Sequence, residues 1–99
     1  MEEFPGIDAF RAWLEERRDQ FVGMVCTAGG CPLALWLDDT WDGFWFVEPE
    51  EYYRDGGKGA PLPTWAQQFV QEADRLYDPY NGVTGEQALD VLQELFPNA

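Results

Sequence analysis

Apolar positions recur at helical spacing in three stretches of the chain. In GIDAFRAWLEERR, Ile7, Phe10, Trp13 and Leu14 share one face, with Arg11, Glu15 and Arg18 opposite. That spacing predicts a helix that starts near Pro5–Asp8 and frays around Asp19. TWAQQFVQEADRLY opens with a T-x-x-Q capping box, Thr64 to Gln67, and sets Trp65, Phe69, Ala73 and Leu76 along one stripe. DPYNGV breaks this helix. TGEQALDVLQELF then repeats the device with Thr84 and Gln87, places Val83 and Ala88 at staple spacing, and gives a buried face of Ala88, Leu92, Leu95 and Phe96. A shorter helix is predicted at about 32–38. There AGGCPLALWLDD runs from two glycines to Pro32 at a first helical position, and Leu33, Trp36 and Leu37 can face the core.

The remaining apolar runs are too short for helices. FVGMVCT (21–27) reads equally as a buried strand or an extended connector. WDGFWFVE predicts a turn at Asp42-Gly43 and a strand from Phe44 to about Glu48, with Trp41 beginning from the partner side of the hairpin. Side chains alternate along a strand, so Phe44 and Phe46 would share one side and Trp45 and Val47 the other. One pair should fill the core, and the other needs a cover. RDGGKGAPLP (54–63) is a Gly/Pro-rich loop. Together these elements predict one α+β domain, residues 1–99, with three to four helices packed on a short antiparallel β element.

Composition changes this picture mainly through charge. Nineteen acidic residues stand against six basic ones, with no histidine, for a net −13. Such a field repels nucleic acid and anionic membranes and attracts basic protein surfaces. Residues 38–55 hold seven of the acids, Asp38, Asp39, Asp42, Glu48, Glu50, Glu51 and Asp55, against a single Arg, for a local −6. Like charges crowded together are mutually destabilising, which points to a partner that neutralises them. Salt adaptation explains the same acidity without one. Within the segment, Trp41, Trp45, Tyr52 and Tyr53 are the aromatics available to anchor an interface, with acids on its rim. Aromatic faces beside carboxylates also suit sugars or alkylammonium groups.

Candidate chemistry is sparse. The chain has no Ser and no His, so Ser/His and Cys/His nucleophile pairs are absent, and the chain reads as non-enzymatic. Cys26 and Cys31 lack the second ligand pair that a zinc site needs, and they read as scaffold thiols. Cys31 would have a lowered pKa if it lay at the start of the 32–38 helix. DPYNGVTGE misses the calcium-loop spacing, because Tyr80 stands at the third position and Gly falls one place early. No metal or cofactor is expected. MEEFPGID has neither the basic start nor the apolar stretch of a signal peptide, and no apolar run spans a bilayer, so the default location is cytoplasmic.

FRAWLEE, the Val22-Gly23 step and CPLALWL together resemble a group of small bacterial and phage-borne hypothetical proteins with an F-x-x-W-L helix, a V-G step and a C-P-[LI]-A-x-[WY]-L helix. The likeness covers residues 10–37. It implies a prokaryotic or phage origin and a scaffold role for Trp13, Leu14, Gly23, Cys31, Pro32 and Leu37. In size and charge the chain is also similar, as a class, to phage-encoded DNA-mimic inhibitors of restriction or CRISPR enzymes.

The leading expectation is therefore a non-enzymatic inhibitor or adaptor that binds a basic protein surface, such as a nuclease or another nucleic-acid-binding protein. The seven acids would supply the charge and Trp41, Trp45, Tyr52 and Tyr53 the anchoring area. A small-molecule or carbohydrate module built on the same aromatics is the first alternative. A structural or oligomeric component, such as a homodimer using that patch, is the second.

Overall fold

The aromatic and aliphatic side chains of the periodic stretches converge on Trp36, the largest side chain almost wholly withdrawn from water. Phe10 lies 4.9 Å from its ring centre, Phe4 5.8 Å and Trp65 6.1 Å. The computed structural model describes residues 4–78 and 81–97. Pro79 and Tyr80, in the middle of the DPYNGV break and the failed calcium pattern, lie outside the described residues.

Among the described residues the chain order is α1 (Ile7–Glu15), β1 (Phe21–Met24), α2 (Pro32–Trp41), β2 (Trp45–Val47), β3 (Glu51–Arg54), β4 (Ala60–Pro61), α3 (Thr64–Leu76), β5 (Gly82–Thr84) and α4 (Gly85–Leu95). All strand pairing is antiparallel, in a β1-β5 ribbon and a three-stranded β2-β3-β4 sheet. This is the α+β arrangement expected from the sequence. None of these helices is long and apolar enough to cross a membrane.

Local chemistry sets the boundaries. The α4 capping box forms in full: the Gln87 N–H donates to Thr84 Oγ1 at 3.2 Å, and Gln87 Oε1 accepts from the Thr84 N–H at 2.9 Å. The matching box expected at Thr64 does not form. Pro63 takes the cap position, Thr64 is already helical, and the Gln67 amide donates to the Leu62 carbonyl at 2.9 Å. The α3 stripe is correspondingly rotated: Ala66, Phe69, Val70 and Ala73 are buried, and Leu76 is 42% exposed. The second helix continues through Trp41, so Trp41 stands on its last turn and not on a strand facing Phe44. The expected hairpin is displaced as well. Asp42-Gly43 connects α2 to β2, and β2 pairs with β3 through a turn at Pro49-Glu50.

Of FVGMVCT, Phe21–Met24 form a strand and the rest a turn. The strand's partner, Gly82–Thr84, lies some sixty residues away and is joined directly to the α4 cap. A bulge between Phe21 and Gly23 shifts the register. Gly23 sits at φ +149, and a Cβ there would lie 2.6 Å from the Gly30 carbonyl oxygen. At Gly85, where α4 meets the end of α1, a Cβ would collide with the Arg17 carbonyl. Both neighbours are backbone and cannot swing aside. Gly85→Ala should therefore destabilise by about 1–3 kcal/mol through overpacking, read as a lower urea midpoint at unchanged slope.

Candidate functional site

Strand alternation builds a site on one face of the three-stranded sheet. Trp45 pairs with Arg54 and Val47 with Tyr52, so these four side chains share a face; Phe46 and Tyr53 pair on the other and stack at 5.3 Å. Val47 and the body of Tyr52 enter the core. Trp41 arrives from the last turn of α2, with its ring centre 5.0 Å from Trp45 and 6.2 Å from Tyr52. Trp45 and Tyr52 close the triangle at 6.1 Å. Phe4 packs behind them, 4.8 Å from Tyr52 and 6.2 Å from Trp41, and bridges to Trp36 and Trp65.

The result is a pocket of about 320 Å³ lined by Trp41, Trp45, Tyr52, Tyr53, Arg54, Gly57, Lys58 and Ala60. All four aromatics singled out from the sequence border it, but only Trp41, Trp45 and Tyr52 bring their rings together there, while the Tyr53 ring stacks on Phe46 on the other face of the sheet. The sequence reading missed Arg54 and Lys58. Once Tyr52 is known to face inward, period two along EYYR puts Arg54 on the same side, but that strand was not recognised. The division expected for FWFV also differs. Phe44 precedes the strand and is 72% exposed, Phe46 is half-buried over Gly29, and only Val47 is fully core.

The connector into the pocket is strained and pinned. Asp42 adopts φ 57, ψ 150, a region seldom occupied outside glycine, and Gly43 follows at φ +101. The Trp45 indole N–H donates to the Asp42 carbonyl at 3.0 Å, and Asp38 Oδ1 accepts from the Trp45 backbone N–H at 2.7 Å. Partial burial raises the Asp38 pKa, the Trp45 N–H opposes the rise, and Asp39 adds to it.

The seven acids do not form one face. Asp38 is committed to Trp45. Asp39 accepts from the Trp13 indole at 2.9 Å and from Arg17 at 3.2 Å, while the Arg17 guanidinium lies 4.6 Å over the Trp13 ring. Both acids sit in the last turn of α2, where the helix dipole is unfavourable to negative charge and no basic residue of that turn offsets it. Glu48, Glu50 and Glu51 line a separate shallow depression with Gly59 and Gln71. Asp42 and Asp55 are exposed. No group of three or more potential metal ligands occurs among the described residues.

The cysteines occupy a third depression, beside Asp74 and Val47. Cys31 does cap α2, but its expected activation is reversed. Burial pushes its thiol up to about 11, overriding the Ala34 and Leu33 amides that pull it down. Cys26 is exposed at φ 60, with its N–H donating to Asp74 Oδ1 at 3.0 Å. Its thiol pKa is also raised, by what burial the exposed residue retains and then by the Asp74 carboxylate. At pH 8 iodoacetamide should therefore modify Cys26 slowly, faster as pH rises, and Cys31 only after unfolding. Mass spectrometry of the native protein checks this, and rapid labelling of both thiols would contradict it.

Comparison with family models, curated proteins and solved structures returns no match to this chain.

Proposed function

We propose that the protein is a non-enzymatic binding module whose site is the aromatic pocket, and that its ligand is a small molecule with a planar apolar body. The convergence of Trp41, Trp45 and Tyr52 on one 320 Å³ concavity carries this reading. The volume is at the small end of ligand pockets, and aromatic walls with a few polar groups are their usual lining. Among the described residues, no carboxylate lines the pocket. That weakens the sugar and alkylammonium readings, both of which draw on acids beside the rings.

Titration with a neutral two-ring probe, 2-naphthalenemethanol, should shift the indole N–H resonances of Trp41 and Trp45 and leave that of Trp13 in place. Trp41→Ala should weaken binding at least tenfold. Equal shifts at Trp13, or an unaffected Trp41→Ala, would reject the pocket as the site.

The acidic surface supports a second reading, an inhibitor or adaptor that docks on a basic protein. Glu48, Glu50 and Glu51 gather at one depression, and none has an ion-pair partner among the described residues. Affinity for a basic model partner, such as a lysine-rich nuclease, should fall by about tenfold in Glu50→Lys/Glu51→Lys, with a flatter salt dependence. Unchanged low-salt affinity would remove this surface from consideration.

A further inference from the structure

Six basic residues serve nineteen acids in this chain, so an unpaired cation is unexpected. Four of the six follow that expectation. Arg11 pairs with Asp8 at 3.0 Å, Arg17 with Asp39 at 3.2 Å, Arg18 with Glu15 at 2.9 Å and Arg75 with Glu72 at 2.7 Å. Arg54 and Lys58 have no carboxylate within 4.0 Å among the described residues, although Asp55 directly follows Arg54 in the chain. These two cations line the same aromatic pocket.

Their placement has separate structural causes. Arg54 lies directly across from Trp45 on β3, and its guanidinium is drawn over the backbone at Gly43, where a Cβ would sit 3.0 Å from Nε. A side chain at position 43 would compete for that space. Lys58 lines the same pocket from the Gly-rich loop between β3 and β4, just past the turn in which the Gly57 N–H donates to the Arg54 carbonyl at 2.7 Å. Two cations therefore line a concavity whose other described side chains are apolar or aromatic.

We infer that the ligand of this pocket is an aromatic carboxylate, its ring held among Trp41, Trp45 and Tyr52 and its carboxylate bound by Arg54 and Lys58. This rests on the pocket being the functional site. The planar guanidinium fork matches a carboxylate, and the ammonium adds a second positive charge. The net −13 selects for low ligand charge: a dianion meets twice the long-range repulsion of a monoanion, against the same two local cations. A cationic ligand would find the protein's field favourable and the pocket itself hostile.

Three probes with one ring system separate the possibilities: 2-naphthylacetate, 2-naphthylacetamide and 2-(2-naphthyl)ethylammonium, titrated into the full chain and followed by the Trp41 and Trp45 indole resonances. The carboxylate should bind about tenfold more tightly than the amide, and the ammonium more weakly than either. Arg54→Gln and Lys58→Gln should each reduce the carboxylate-to-amide ratio several-fold. Because that ratio is read within each variant, a general loosening of the pocket cancels. Equal binding of carboxylate and amide, or a ratio kept in both variants, overturns the carboxylate assignment and leaves the small-molecule reading standing. Preference for the ammonium overturns it in favour of a cation site. Binding by none of the three overturns it together with the small-molecule reading.

Discussion

The burial of Trp36 is the constraint on which the other elements depend. Its indole is the buried middle link of a chain of ring contacts that runs from Phe69 through Phe10 to Trp36 and Trp65, and onward through Phe4 to Tyr52, Trp41 and Trp45. Burying a side chain of this size contributes roughly 1.5–3 kcal/mol or more, and tilted or edge-on ring pairs add about 0.5–1.5 kcal/mol each. In a chain of 99 residues such a cluster is a large share of the core. It also makes core and pocket continuous, because the rings at the far end of the chain are the ones that line the concavity. Phe4 stands at the junction and touches both groups.

Much of this was legible in the sequence, where the information was local. Helical periodicity located three of the helices, Pro32 after two glycines marked the start of the other, and the Thr84–Gln87 box formed because both of its halves are supplied within one turn. The similar string at Thr64 misled because Pro63, with φ already fixed near the value required, serves as the cap one residue earlier. Non-local pairing was out of reach. Nothing in FVGM names GVT as its partner, and only the fold shows that a strand of three residues lies hidden in what read as an interhelical turn.

The candidate site shows the same division. Its aromatics could be named because large apolar side chains in a charged segment are conspicuous. Its cations could not, because their significance lies in what they lack. Arg54 and Lys58 are unremarkable letters in RDGGKG until every other basic residue is seen to hold a carboxylate. The acids illustrate the converse. Read as letters, Asp38 and Asp39 belonged to a charged surface. In space they are acceptors that tie Trp45 and Trp13 to the end of α2.

That last arrangement bears on how the pocket moves. The final turn of α2 carries two carboxylates against its own dipole, then passes straight into the strained Asp42 linkage. What holds the turn in place is donated from elsewhere: the Trp13 indole and Arg17 from α1 and its end, and the Trp45 amide from β2. Trp41 rides on this turn. One wall of the pocket is thus secured by tethers from two other elements, and less by the helix that carries it. Release of those tethers makes a low-energy opening unit of the α2 terminus and the connector, separate from the slow global unfolding of the Trp36 core. The position of Trp41, and with it the pocket's aperture, accordingly depends in part on Trp13 and Arg17, neither of which lines the pocket.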